Sequence, residues 1–259
     1  MSGAVEVIGN AIVYLGDCME VLPRLDVVDA VIADLPYGTT QNKWDCALPL
    51  GDLWRQYRRL APLVVLTSQG GFTAELICSN RAGFKYKMVW EKSKATNFLN
   101  AKKQPLRKHE DICVFGRGAY NPQMQPGKPY NKGVRKDQLT GSYGDFAPVK
   151  VASMGERYPT DVIYFPTAES EGPVVHGTQK PLALMRYLVR TFTNPGHTIL
   201  DNAMGSGTTG VAALAEGRKF IGIERDPVFF HLACRRIEEA HRQGELFSGP
   251  PTHPMGASQ

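Results

Sequence analysis

The sequence predicts an α/β protein with a doubly wound, mostly parallel sheet. Short β-branched runs alternate with amphipathic helical stretches over most of the 259 residues. Two of the apolar runs end directly in turn motifs that carry polar side chains, which is where ligand sites of α/β sheets lie. Hydrophobic residues make up 42% of the chain and charged residues 21%, which excludes a disordered or fibrous class.

The apolar runs and the helical periodicity define the elements in chain order. Strands are expected at 12–15, 27–33, 63–67, 86–90, 111–115, 198–200 and 220–223. Helices are expected at 52–60, 72–82, 182–192, 208–216 and 228–242. Pro181 suits the start of the helix expected at 182–192, because the first turn of a helix does not need the N–H that proline lacks.

A glycine-rich segment, DNAMGSGTTG at 201–210, follows a predicted strand and opens a predicted helix. Gly205 and Gly207 let the backbone turn sharply and approach a ligand without a Cβ in the way. After the next strand, Glu224 lies where a carboxylate can accept hydrogen bonds from ribose hydroxyls. The letters GSGTTG also fit the G-x-G-x-x-G pattern of nicotinamide-dependent oxidoreductases. Fewer than sixty residues follow the segment, so we expect it to complete a sheet that earlier residues begin.

A second motif, DLPYG at 34–38, also follows an apolar run. The carboxylate of Asp34 and a neighbouring carbonyl could accept the two N–H groups of an exocyclic amine on a nucleobase and stabilise the charge that grows on its nitrogen. Tyr37 could stack on a base that has left the duplex. Taken alone, the motif favours an Asp that caps a helix in an ordinary strand-to-helix turn.

The positive charge of the chain is concentrated in its middle. The net charge is +5, yet residues 81–136 contain fourteen Lys and Arg against three acids. Such a block suits a phosphate backbone, although a solvated basic face is the alternative. The DNA-binding candidates are Lys102, Lys103, Arg107, Lys108, Lys132, Arg135 and Lys136.

The periodicity divides the chain into four parts. Residues 1–115 and 176–242 form the two halves of the α/β domain, and residues 116–175 form an irregular, Gly- and Pro-rich insertion suited to binding. Residues 243–259 resemble a disordered tail. The five scattered cysteines predict reduced thiols and no metal site, and no segment predicts a membrane helix or signal peptide. We therefore expect a cytoplasmic protein.

Together, DLPYG, TQKP at 178–181 and DNAMGSGTTG resemble the β class of amino-methyltransferases, the permuted N6-adenine and N4-cytosine DNA methyltransferases. The resemblance extends from about residue 14 to residue 242 and omits the irregular middle. The family consensus has D-P-P-Y and D-P-F-x-G-S-G-T-T, from which this chain departs at Leu35, Asn202 and Ala203. Leu35 is compatible with the family role, because that position acts through its backbone carbonyl.

The resemblance implies S-adenosylmethionine as cofactor and assigns residues to it. Asp17 would lie beside the adenine end of the cofactor, with a helix cap as the alternative, and Lys180 would pair with the cofactor carboxylate or face solvent. The remaining cofactor residues would be Asp201, Met204, Gly205, Ser206, Gly207, Thr208, Thr209 and Glu224. The catalytic residues would be Asp34, Leu35, Pro36 and Tyr37.

The function that follows is methylation of N6 of a flipped-out adenine in double-stranded DNA. The protein is expected to be a monomer or a homodimer. The sequence leaves open whether a restriction endonuclease is its partner. Asp as the first motif residue favours adenine, since the family more often has Ser there for N4-cytosine. N4-cytosine methylation is the nearest alternative. A non-catalytic DNA-binding module and an oxidoreductase are alternatives of other classes.

Overall fold

The computed structural model describes residues 3–37, 48–135, 149–172, 174 and 179–247. The chain forms two compact units, a large one from residues 1–121 and 161–259 and a small one from residues 122–160. Lys136 and residues 175–178 lie outside the described residues, as does the part of the expected tail after residue 247. Among the described residues, no helix is long and apolar enough to cross a membrane.

The large unit contains nine strands and six helices among its described residues. Its strands are β1 (Val5–Ile8), β2 (Ala11–Leu15), β3 (Ala30–Asp34), β4 (Leu63–Ser68), β5 (Phe84–Thr96), β6 (Arg107–Gly116), β11 (Val162–Phe165), β12 (Thr198–Asp201) and β13 (Lys219–Glu224). Its helices are α1 (Cys18–Val21), α2 (Leu50–Leu60), α3 (Gly71–Ser79), α4 (Leu182–Phe192), α5 (Thr208–Ala215) and α6 (Pro227–Phe247).

These strands form one mostly parallel sheet in the order β1-β2-β13-β12-β3-β4-β6-β5-β11. Strands β2, β13, β12, β3 and β4 run parallel, whereas β6 is antiparallel to both of its neighbours. The late strands β12 and β13 insert between β2 and β3, with Ile199 beside Ala30 and Ile221 beside Ile12. The expectation that the glycine-rich segment completes a sheet begun by earlier residues is confirmed.

The sheet is buried on both faces because successive side chains of its strands enter different cores. In β3, Ala30 and Ile32 belong to the core formed with α4, α5 and α6. Val31 and Ala33 belong to the core formed with α1, α2 and α3. This arrangement explains why the strand reads as a continuous apolar run without polar alternation, and the predicted α/β class is confirmed.

The predicted elements are all present, with differences at their ends. The strand predicted at 27–33 begins at Ala30, since Val27 is largely exposed. Strands β5 and β6 run well beyond 86–90 and 111–115 and form a long hairpin. The short edge strands β1 and β11 were not predicted, and β11 comes from the segment that reads as irregular.

The small unit is built from β7 (Gln125–Pro126), β8 (Tyr130–Arg135), β9 (Val149–Ser153) and β10 (Glu156–Arg157). Strands β8 and β9 pair antiparallel, as do β7 and β10. The Tyr130 ring contacts the Lys132 ammonium at 5.3 Å and the Arg157 guanidinium at 4.5 Å from its centroid. These cation–π contacts hold an exposed lysine and a half-buried arginine beside an aromatic ring.

Candidate active site

The two sequence motifs meet at one cavity of about 530 Å³. Strands β3, β12 and β13 are parallel and end in Asp34, Asp201 and Glu224, so these three carboxylates lie along the same edge of the sheet. The cavity is lined by the catalytic candidates Asp34, Leu35, Pro36 and Tyr37 and by the cofactor candidates Asp17, Lys180, Asp201, Met204, Gly205, Ser206, Thr208, Thr209 and Glu224. Its size is that of a small-molecule site.

The glycine-rich turn is fastened to the end of β13 by Glu224. One oxygen of this carboxylate accepts the Gly205 N–H at 2.9 Å, and the other accepts the Asp226 N–H at 2.8 Å. Gly207, at the start of α5, has φ of +78°, and a Cβ there would lie 2.9 Å from the Cβ of Ala233. The turn therefore requires glycine both for its backbone conformation and for its packing against α6.

Asp17 lies at the cavity wall after β2, where the helix-cap alternative is realised. Its carboxylate accepts the Met19 N–H at 2.7 Å and so caps α1. The side chain is exposed and uses one of its acceptor sites in this bond. Capping and cofactor contact are therefore compatible in the same carboxylate.

Asp34 is held by three side chains. Its Oδ1 accepts hydrogen bonds from the hydroxyls of Tyr37, at 2.8 Å, and Thr67. Its Oδ2 accepts a hydrogen bond from Lys180 Nζ at 2.5 Å. A carboxylate has about four lone-pair sites, so three are occupied and one on Oδ2 is left for a ligand. A quarter of the side chain remains exposed, which permits such a contact.

Lys180 belongs to a buried network of four charges. Its ammonium lies 3.3 Å from Glu110 Oε2, and the other Glu110 oxygen lies 2.6 Å from Lys92 Nζ. Lys180, Glu110 and Lys92 are each less than a tenth exposed. The solvent-facing alternative for Lys180 is wrong, because its buried ammonium contacts two carboxylates of the protein. Its pairing with a cofactor carboxylate stays a prediction.

The network shifts the pKa values of Lys180 and Glu110. Burial disfavours the charged form of Lys180, but Asp34 and Glu110 outweigh this effect and raise its pKa. Burial also opposes ionisation of Glu110, yet Lys180 and Lys92 lower its pKa overall. Lys180 and Glu110 thus favour each other's charged form.

Sequence reasoning missed Glu110, Lys92 and Thr67. It counted Glu110 and Lys92 only as charges of the basic block. A usable signal was alternation, since Met88 and Trp90 are buried on one face of β5 and Lys92 continues that series. Thr67 is the neighbour of Asp34 in the register of β3 and β4, which the sequence does not reveal.

Tyr37 is more constrained than its motif suggests. Its ring stacks on Phe72, with centroids 5.1 Å apart, and the Lys180 ammonium lies 5.8 Å from its centroid. Its hydroxyl donates to Asp34. Tyr37 nevertheless lines the cavity, where a ligand could contact it.

The two departures in the glycine-rich motif have different consequences. Asn202 is buried, and its Oδ1 accepts the Tyr57 hydroxyl at 2.5 Å. Its Nδ2 has no hydrogen-bond partner among the described residues, although Asn202 lines the cavity. A buried donor without a partner is costly unless a ligand satisfies it. Ala203 is half-buried against the core on the α2 side of the sheet.

The basic block is less uniform than its composition suggests. Each of its three acids pairs with a lysine of the block: Glu110 with Lys92, Asp111 with Lys87 and Glu91 with Lys108. Lys102, Lys103, Arg107 and Lys108 are exposed on or beside the hairpin of β5 and β6. Arg107 also lines the cavity and donates to Gln69 at 3.3 Å. Lys132 is exposed in β8, the strand that ends at Arg135.

The fold and this site belong to a known class of enzyme. Residues 28–235 match the model of the N6/N4 methyltransferase family, described as DNA methylases. The chain therefore belongs to this family of DNA methyltransferases. The matching family and the related proteins give no support to an oxidoreductase or to a non-catalytic module.

Related proteins include enzymes with different target bases. The DNA adenine methyltransferase YhdJ of Escherichia coli (strain K12) is 27% identical over 263 residues, covering 87% of this chain and 82% of that protein. The crystal structure of the M1.HpyAVI-SAM complex is similar to this chain with a TM-score of 0.61 and 24% sequence identity. The similarity covers 87% of this chain and 98% of the M1.HpyAVI chain. The cytosine-N4-specific PvuII DNA methyltransferase has a TM-score of 0.61 at 15% identity, over 92% and 93% of the two chains. The structural similarities show a shared fold.

Asp201 gives the site a pH-dependent contribution to stability. Its carboxylate is buried and accepts the Thr209 hydroxyl at 2.6 Å and the Ala203 N–H at 3.1 Å. Burial raises the pKa of Asp201 to about 7, and these two hydrogen bonds only partly oppose it. Because the folded pKa exceeds the unfolded one, the stability contribution is present below about pH 4 and is lost as pH rises to about 7.

We predict that Asp201→Asn removes this loss. The free energy of unfolding of both proteins is measured in urea from pH 4.5 to 7.5. The difference, variant minus wild type, should increase with pH by on the order of 2–4 kcal/mol across this range. Asp52→Asn, at an exposed position, controls for the substitution itself. A constant difference between wild type and Asp201→Asn across the window would contradict the prediction.

Proposed function

We propose that the protein transfers the methyl group of S-adenosylmethionine to N6 of an adenine flipped out of double-stranded DNA. The observation that carries the proposal is the single acceptor site left on Asp34, which faces the same cavity as the glycine-rich turn. A methyl donor at the turn and an amine at Asp34 would share one enclosed space. The order of the motifs, with the catalytic motif first, supports the permuted β class.

The residues on the cofactor side fit S-adenosylmethionine. Gly205 lines the cavity, where the missing Cβ lets a ligand approach the turn, and Glu224 and Asp17 offer acceptor oxygens to ribose hydroxyls. When bound, the cofactor supplies an electrophilic sulfonium methyl that the target amine attacks in line.

The catalytic side holds the target amine by two acceptors. Asp34 has one free lone-pair site on Oδ2, so it accepts one N–H of the amine. The second N–H requires another acceptor, and the carbonyl of Leu35 is the next backbone acceptor in the chain. The Leu35 side chain is buried in the core and leaves this role to the backbone. Asp34 is also placed to take up the proton that the methylated nitrogen releases.

Lys180 and Glu110 act as positioning residues for Asp34. Lys180 donates to Oδ2 and so fixes the orientation of the Asp34 carboxylate towards the cavity. Glu110 and Lys92 in turn hold Lys180 in place. Such fixed charges need no reorganisation when the methyl group moves.

Adenine is the proposed target base. The first motif residue is Asp34, which the family associates with adenine, and the relative YhdJ is named an adenine methyltransferase. The flipped base would contact Tyr37 from the cavity that this residue lines. The PvuII enzyme, named cytosine-N4-specific, shares the fold and makes N4-cytosine the second candidate.

Double-stranded DNA is the proposed partner of the basic surface. Lys102, Lys103, Arg107 and Lys108 would contact phosphates beside the cavity, and Lys132, Arg135 and Lys136 would do so from the middle of the chain. These contacts set position and orientation, whereas sequence is read at base edges.

The proposal predicts its product. Duplex DNA of mixed sequence incubated with the enzyme and methyl-labelled cofactor, then digested to nucleosides, should yield N6-methyladenine in mass spectrometry. Sequencing of the modified positions gives the recognition site. Only N4-methylcytosine would replace adenine by cytosine and leave the fold and cofactor assignments in place. No labelled nucleoside would refute the proposed activity.

Asp34→Ala should abolish methyl transfer and spare cofactor binding. Loss of a preorganised acceptor at the reacting nitrogen lowers turnover by on the order of 10²–10³, while the cofactor turn lies on other strands. Turnover is measured with labelled cofactor, and cofactor affinity by calorimetry. Asp52→Ala, at an exposed site on α2, is the matched control. Near-normal turnover in Asp34→Ala would remove Asp34 from the mechanism.

A further inference from the structure

The tip of the β5–β6 hairpin, residues 97–106, exposes Leu106 and, more fully, two adjacent large apolar side chains. Phe98 is 75% exposed and the adjacent Leu99 is 85% exposed. Single exposed apolar residues are common on protein surfaces. Here a phenylalanine and a leucine are adjacent at the end of a projecting hairpin, which is unfavourable in water unless they have an apolar surface to enter.

The hairpin tip holds these side chains in a defined turn. Phe98–Asn100 form one turn of 3₁₀ helix that begins after Asn97, whose φ of +72° is the only positive value for a non-glycine among the described residues. The side chain of Asn100 donates to Asn97 Oδ1 at 2.7 Å, and the N–H groups of Lys103 and Gln104 both bond to the Asn100 carbonyl. A left-handed asparagine is a backbone conformation that needs such local support.

The hairpin tip lies at the mouth of the cavity. Thr96, Asn97 and Arg107, at its two ends, line the cavity that contains Asp34. Lys102 and Lys103 are exposed within the tip itself. An apolar pair flanked by cations matches duplex DNA, in which an apolar base stack lies between two rows of phosphates.

We propose that Phe98 and Leu99 enter the duplex and fill the space left by the flipped base, while Lys102 and Lys103 contact the flanking phosphates. This inference rests on the proposed function and names the device that keeps the target base in the cavity. Removing a base from the stack exposes apolar faces of its neighbours, and the two side chains cover them. The occupant of the tip is thus the gap in the duplex, and neither a second copy of the chain nor a protein partner.

The test compares two synthetic duplexes that carry the recognition site found by sequencing. In one, the target adenine is paired with thymine, and in the other it faces an abasic site, so that little pairing energy opposes flipping. The double variant Phe98→Ala/Leu99→Ala should lose at least tenfold in kcat/KM on the paired duplex and stay within about threefold of the wild type on the abasic one. Val7→Ala, which shortens a 70% exposed side chain on β1, should match the wild type on both.

A second readout does not depend on turnover. With 2-aminopurine in place of the target adenine, the wild type should raise its fluorescence on binding, whereas the double variant should bind the paired duplex and raise it much less. The proposed insertion of Phe98 and Leu99 would be overturned by equal losses of kcat/KM on both duplexes or by no loss on either. It would also be overturned if the variant differed from the wild type only in self-association, measured by size-exclusion chromatography. If sequencing instead finds N4-methylcytosine at the recognition site, the adenine assignment alone is refuted, and the same pair of duplexes built around the target cytosine still tests the insertion.

Discussion

The site depends on the contact between Lys180 and Asp34, which joins positions 146 residues apart in the chain. A buried ammonium is stable only with counter-charges and hydrogen bonds around it. Asp34 and Glu110 provide them, and Lys92 balances the second carboxylate. Removing any one member leaves an unpaired charge in a buried place, so the four residues behave as a unit. The network fixes the carboxylate that we assign to the target amine.

The sheet order makes this contact possible. Because β12 inserts directly beside β3, the glycine-rich turn after β12 and the catalytic motif after β3 open into one cavity. The antiparallel strand β6 then carries Glu110 to the same edge from the opposite direction, beside Trp90 in the register with β5. Parallel strands alone supply the motif residues, and the reversed strand supplies the charge that holds Lys180.

The sequence was sufficient for the fold and for the motif residues because both depend on local patterns. A few consecutive residues are enough to recognise the apolar runs of β3 and β4 and the turn at Gly205 and Gly207. Glu110, Lys92 and Thr67 escaped prediction because their place in the site depends on strand register and on one reversed strand. The contacts of Lys180 with Asp34 and Glu110 were missed for the same reason, because the sequence does not reveal which carboxylates lie near a given lysine.

The most direct test is the pH dependence of kcat/KM for DNA methylation in Lys180→Met and Lys180→Arg, each at a temperature where circular dichroism shows it folded. Without the ammonium, Asp34 and Glu110 repel each other, and Lys92 alone no longer holds the Glu110 pKa as low. The account predicts that in Lys180→Met the acid limb of the profile moves up by about one pH unit or more, whereas Lys180→Arg keeps it near the wild-type position. An acid limb and a rate in Lys180→Met equal to those of the wild type would contradict the account.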